Sequence, residues 1–206
     1  MKVLFISLGC DKNLADSEIM ISILHEHGHS VVELEEEAEA IVINSCCFIN
    51  DAKEESINTI LECARYKECG LRYLIVAGCL AQRYPAEIQE AIPEVDVLLG
   101  TAAYADVAQA LDELEKTTEN PEKKVCFREL DYLPELTVKR GHFTGTSYAY
   151  LKIAEGCDKH CTYCVIPSIR GPYRSVPMER IIGEARELAR QGVKELILVA
   201  QETTLY

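Results

Sequence analysis

The stretch "YLIVAGCLAQRYPAEI" (residues 73–88) holds the fold in miniature. Its first six residues are apolar and β-prone and read as a strand; Cys79 follows at once, and Pro85 opens a short helix. A strand that is apolar without alternation belongs in a sheet covered on both faces. The same rhythm extends outward, with further strands predicted in "KVLFISL" (2–8), "SVVEL" (30–34), "AIVINS" (40–45) and "VDVLLG" (95–100). Helices are expected from about Leu14 to His27, from Ala52 to about Lys67, and around Ala105–Lys116. Asn50 or Asp51 can cap the second of these, with Glu54 placed for a capping box. Its Ile57, Ile60, Leu61 and Ala64 recur at the spacing of one buried face. The reading is an α/β fold, a five-stranded parallel sheet with flanking helices.

Cys10, Cys46 and Cys79 each sit just past the carboxyl end of a predicted strand, the first, third and fourth. In an open parallel sheet those ends share one edge, and ligands bind in the crevice there. Core cysteines behave as small hydrophobes and would be expected inside strands and helices. Three at equivalent strand ends read better as convergent thiolate ligands. Cys47 follows Cys46 and should point the other way, into packing. Cys63, Cys69 and Cys126 are assigned no role.

Ten cysteines in 206 residues need an account. Nothing indicates export, because no small-residue cleavage site follows the apolar amino terminus. The longest apolar runs, such as "AIVINSCCFI" (40–49), are too short to span a bilayer. A cytoplasmic protein without a membrane segment is expected, and in a reducing cytosol the cysteines point to metal binding or redox chemistry. The formal net charge of −13 argues against a broad nucleic-acid footprint in this part of the molecule.

"KTTENPEKK" (116–124) is polar, charged and broken by Pro121, the composition of a linker. The expected organisation is a first domain over 1–117, a linker over 118–145 and a second unit over 146–206. That unit starts with a strand in "SYAYLKIAEGC" (147–157). A helix follows from about Met178 to Gln191, ending at Gly192, and then a strand in "VKELILVAQ" (193–201). One and a half β–α units are too little to stand alone.

"AEGCDKHCTYCVIPSIRG" (154–171) carries Cys157, Cys161 and Cys164. A structural zinc site shows a second ligand pair some distance on, which is missing here, and His160 is adjacent to Cys161 rather than at ligand spacing. "CTYC" matches a dithiol, but a dithiol does not need Cys157. Three cysteines on one loop fit a cubane cluster ligated at three irons, with the fourth open to another ligand. A non-catalytic zinc or dithiol module remains the rival of another class.

With Tyr163 before the last cysteine, this motif resembles the signature of radical S-adenosylmethionine enzymes. Together with "SLGCDKNLADSE" (7–18), "INSCCFINDAKEESI" (43–57) and "VAGCLAQRYPAEI" (76–88), it resembles the methylthiotransferase family over essentially the whole chain. "GCDKN", "LAQRY" and "IPSIRGPYRS" (166–175) are similar to the branch that modifies a ribosomal protein; the tRNA-modifying branch is the alternative. Cys47 and Val176 depart from that branch's usual residues. The resemblance implies two 4Fe-4S clusters, one on Cys157, Cys161 and Cys164 that binds S-adenosylmethionine, and one on Cys10, Cys46 and Cys79 that carries the sulfur to be inserted. It implies the β-carbon of an aspartate in ribosomal protein S-twelve as target and a flavodoxin or ferredoxin as electron donor. Arg170 and Arg174 are candidate contacts to substrate or cofactor carboxylate. The resemblance implies that 146–206 is the first β–α–β part of a partial TIM-type radical S-adenosylmethionine barrel; the family carries more barrel strands and a small β-barrel domain, so the chain is expected to be an amino-terminal fragment with little activity of its own.

Overall fold

The computed structural model describes residues 1–116, 124–135 and 138–206. Its centre is a parallel sheet in which β1 (Lys2–Ser7), β2 (Ser30–Val32), β3 (Ala40–Ser45), β4 (Tyr73–Gly78), β5 (Val97–Leu99) and β6 (Lys124–Cys126) stand in the order β2-β1-β3-β4-β5-β6. Every pairing in it is parallel. The sheet therefore has six strands rather than the five expected. The sixth falls inside the predicted 118–145 linker, of which residues 118–123 and 136–137 lie outside the described residues. Three residues carry too little pattern to read as a strand; the edge of β5 supplies what the sequence lacks, pairing Val97 with Lys124 and Leu99 with Cys126.

The helices of this unit are α1 (Asp11–Glu26), α2 (Asn50–Ala64), α3 (Cys79–Arg83), α4 (Pro85–Ala91) and α5 (Val107–Lys116). Alternate residues of each central strand feed two separate cores, as the pleat requires. Ile41, Ile43, Leu74 and Val76 face α2, α3 and α4 through Ile60, Leu80 and Ile88. Val42, Ile75, Val97 and Leu99 face α1 and α5 through Met20, Ile23, Leu111 and Leu114. Helix α2 is turned away from its expected orientation. Ser56, Ile60, Cys63 and Ala64 are buried, while Ile57 and Leu61 are exposed. Its end residues also depart from expectation, since Ile49 occupies the N-cap and no side-chain capping hydrogen bond forms. Ser56 is drawn inward because its hydroxyl accepts the Cys46 N–H and donates to the Cys46 carbonyl, both at 2.9 Å.

The second unit contains β7 (Tyr148–Lys152), β8 (Ala154–Glu155), α6 (Ile166–Arg170), β9 (Arg174–Ser175), α7 (Met178–Arg190) and β10 (Glu195–Val199). Parallel pairing of β7 with β10 across α7 makes one β–α–β unit. Antiparallel pairing of β8 with β9 closes the loop that holds the three cysteines. This unit sits on the polar side of α1 at Asn13, Asp16 and Glu18, each at most 3% exposed, while Ser17 turns inward to Ser7 and Asn44.

Candidate functional site

Strands β1, β3 and β4 are immediate neighbours, so the residues just past their carboxyl ends are brought side by side. Cys10 immediately precedes α1, Cys46 follows β3, and Cys79 opens α3. All three line one cavity of about 790 Å³, shared with Gly9, Lys12, Phe48, Ile166, Arg170 and Gln201. Cys10 is exposed, whereas Cys46 and Cys79 are buried. Tight turns bring them there. Gly9 lies at φ +88, and a Cβ on it would stand 2.5 Å from the Cys46 Cβ. Gly78 lies at φ +89, and a Cβ there would meet the Asn44 Oδ1 at 2.4 Å. Only glycine fits such positions at both counts.

Asn13 ties the first two cysteine turns together. Its Nδ2 donates to the carbonyls of Leu8 at 3.0 Å and Ser45 at 3.1 Å. Its Oδ1 accepts from Arg170 Nη2 at 2.5 Å, and the same nitrogen lies 3.3 Å from the Cys79 sulfur. Burial pushes the Cys79 thiol up, with Arg170 pulling the other way through its charge and its hydrogen bond. Cys47 does point away into the core, where its thiol donates to the Cys79 carbonyl at 3.2 Å. Burial there raises it to about 11, as it does Cys63, so neither is a ready thiolate.

Cys157, Cys161 and Cys164 lie on the loop between β8 and α6 and outside that cavity's lining. The loop is anchored at its start and closed by a turn within itself. The Cys157 N–H donates to the Gly171 carbonyl at 3.1 Å, and the Cys164 N–H to the Cys161 carbonyl at 2.9 Å. Gly156 (φ +77) permits the close approach, since a Cβ would fall 2.1 Å from the Pro172 carbonyl oxygen. Cys161 is exposed and the other two are half-buried. Directly after the loop, α6 brings Arg170 back into the first unit's cavity, and Thr101 holds that turn through a 2.6 Å bond from its hydroxyl to the Ile169 carbonyl.

Arg170 is no loose surface charge, being 3% exposed. Besides Asn13 and Cys79 it meets Asp16 at 3.0 Å and Glu155 at 3.5 Å. Lys152 completes the set, paired with Asp16 and, at 2.8 Å, with Glu155. Arg174 is committed differently: its guanidinium donates to the carbonyls of Arg170, Pro172 and Tyr132 and so fastens the loop. Sequence reasoning missed Asn13, Asp16, Lys152 and Glu155. The polar stripe of "DKNLADSE" reads as a water-facing helix side until the second unit covers it.

Among the described residues, no three His, Cys, Asp or Glu side chains converge closely enough to hold one metal ion. In a cubane each protein thiolate binds a different iron, so its ligands stand around a volume rather than a point. Three strand-end thiols around a cavity, two of them buried, suit that donor geometry. The Arg170 N–H adds the kind of sulfur hydrogen bond such clusters take.

Residues 2–100 match the model of Uncharacterized protein family UPF0004, and residues 151–206 match that of the Radical SAM superfamily. A solved cobalamin-dependent S-adenosylmethionine radical enzyme, OxsB, shares the fold at a TM-score of 0.58 and 12% identity, over 98% of this chain and 34% of that one. Fold and motif thus describe the class, an α/β unit followed by a segment similar to the radical S-adenosylmethionine superfamily. Within that class the chain is similar to proteins named as methylthiotransferases. It is 58% identical to "Ribosomal protein uS12 methylthiotransferase RimO" of Lachnoclostridium phytofermentans, over 100% of this chain and 46% of the relative. It is 52% identical to the protein of the same name from Acetivibrio thermocellus, again over 100% and 46%. The chain spans about half the length of the curated relatives it matches.

Proposed function

We propose that this chain forms the two cluster-bearing units of a cytoplasmic radical S-adenosylmethionine methylthiotransferase. Its target is the β-carbon of an aspartate in ribosomal protein uS12. What supports the reading is the meeting of Cys10, Cys46 and Cys79 on one cavity walled by the helix that follows the Cys157–Cys164 loop. Cys157, Cys161 and Cys164 hold a 4Fe-4S cluster with one iron left for S-adenosylmethionine, and the strand-end trio holds the second cluster. The clusters and S-adenosylmethionine supply one-electron chemistry, the inserted sulfur and its methyl group. The chain's own residues do the rest. Gly9, Gly78 and Gly156 let the backbone turn tightly enough to present the thiolates, and Asn13 fixes the spacing of two of the cysteine turns. The apolar wall at Phe48 and Ile166 limits water around the buried thiols. A flavodoxin or ferredoxin serves as electron donor.

Anaerobic reconstitution tests the metal content. About eight irons and eight acid-labile sulfides per chain are expected for two cubanes, falling by half when Cys10, Cys46 and Cys79 are replaced by Ala. Zinc without sulfide overturns the reading in favour of a zinc or dithiol module. For the substrate, residues 1–206 can replace the matching segment of the L. phytofermentans relative. The chimera should add a methylthio mass to uS12. Modified tRNA beside untouched uS12 would assign the chain to the tRNA-acting branch instead.

A further inference from the structure

Arg170 belongs to the second unit by sequence and to the first unit's cysteine cavity by position. Its side chain is buried, and its two Nη atoms meet groups of known charge. Asp16 and Glu155 are acids, Lys152 is a base beside them, and Asn13 is neutral. Two acids against two bases leave the cluster of charges balanced. What the arrangement delivers to the Cys79 sulfur is therefore chiefly a directed N–H, held at 3.3 Å by partners on three sides. Hydrogen bonds to ligand sulfur draw electron density from the thiolate and favour the reduced, more negative state of an iron–sulfur centre.

We propose that Arg170 is a positioning and tuning residue through which the second unit sets the reduction potential of the centre on Cys10, Cys46 and Cys79. The inference rests on the two-cluster reading above. It makes the sulfur-carrying centre depend on the seating of the segment that also carries the other three cysteines. A first unit without its neighbour would hold the same three thiolates yet poise them differently. Arg170 forms and breaks no bond itself.

The test uses this chain with Cys157, Cys161 and Cys164 replaced by Ala, so that one cluster is observed. In an EPR-monitored redox titration, Arg170→Gln should lower the reduction equilibrium constant about tenfold, which is 59 mV for a one-electron couple. Arg170→Lys, which keeps the charge but not the planar fork, should fall between. An Arg170→Gln potential equal to that of the parent overturns the proposal. Loss of a buried arginine can also unfold the site, so a second measurement needs no substitution there. With 15N-labelled arginine, the reduced centre should show a 15N coupling in its electron spin-echo modulation. A chain that binds the cluster but lacks that coupling refutes the role of Arg170 and leaves the two-cluster reading standing. A chain that takes up no cluster on Cys10, Cys46 and Cys79 overturns both.

Discussion

Lys152 lies between Asp16 and Glu155 almost out of reach of water, with Arg170 completing the group. Burial alone would push the Glu155 carboxyl up, but Lys152 and Arg170 outweigh it and hold it at about 2. Burial likewise works against the Lys152 charge, and Asp16 and Glu155 restore it, raising the ammonium above its ordinary range. Glu155 has a folded value below its ordinary 4.5, so its contribution to stability is complete above about that pH. It disappears as the pH falls toward about 2. Replacing Lys152 by Met leaves two buried carboxylates sharing the Arg170 cation, with Gln201 as a neutral donor to Glu155. Breaking a buried pair in this way costs about 3–5 kcal/mol. Urea unfolding at pH 7 should show that loss, and the difference between parent and Lys152→Met should shrink as the pH is lowered through the same window. A difference that stays constant down to pH 2 would mean Glu155 is not held by Lys152.

Helix α2 shows how far an element can be read before its neighbours are known. The period of Ile57, Ile60, Leu61 and Ala64 correctly announces a helix with an inner face, yet the centre of that face lies elsewhere. The Cys46 turn claims Ser56, and the helix rotates so that Cys63 enters the core in place of Leu61. A hydroxyl that satisfies two backbone groups at a buried turn outweighs one more partly covered leucine, because buried polar groups left unpaired are costly. The expected consequence is a sharp contrast between adjacent positions. Ile60→Ala should lose about 2–5 kcal/mol, whereas Leu61→Gln should stay within about 0.5 kcal/mol. Thermal or urea unfolding checks both, and a larger loss at Leu61 would contradict the orientation. Strand β6 is the opposite case. Its three residues have no pattern of their own, and only the unpaired edge of β5 makes them a strand.

Across the whole molecule, the seam between the two units is built from buried charge rather than from apolar surface alone. Arg140 donates to Glu18 on α1 at 2.5 Å and to Glu184 on α7 at 2.6 Å, and both units contribute to its burial. Arg140→Ala removes the guanidinium that joins those carboxylates and leaves Glu18 buried with only His142 and the Phe143 N–H beside it among the described residues, a loss of about 3–5 kcal/mol. Hydrogen exchange should locate the damage. Protection is expected to fall in β7 and α7 while β3 and β4 keep theirs, because the sheet's two cores are built mainly from the first unit's own side chains, with Ile169 and Val165 joining one of them. An equal loss in both units would show that the chain unfolds only as a whole.

The sequence by itself determined the alternation of strands and helices, the parallel sheet, and the placement of three cysteines at strand ends and three on a later loop. These are local signals: continuous apolar runs, turn glycines and close spacing survive without knowledge of partners. Tertiary structure alone decided the sixth strand, the rotation of α2, and the fate of Arg170 and of the polar side of α1. The strand needs an edge that only a neighbouring strand creates, the rotation of α2 a buried turn ten residues upstream, and Arg170 and the polar side of α1 partners more than a hundred residues away. Asp16, Asn13, Lys152 and Glu155 look like ordinary solvated residues along the chain. They acquire chemical meaning when the second unit removes water from them, because charge is cheap to leave in solvent and must be answered when it is buried.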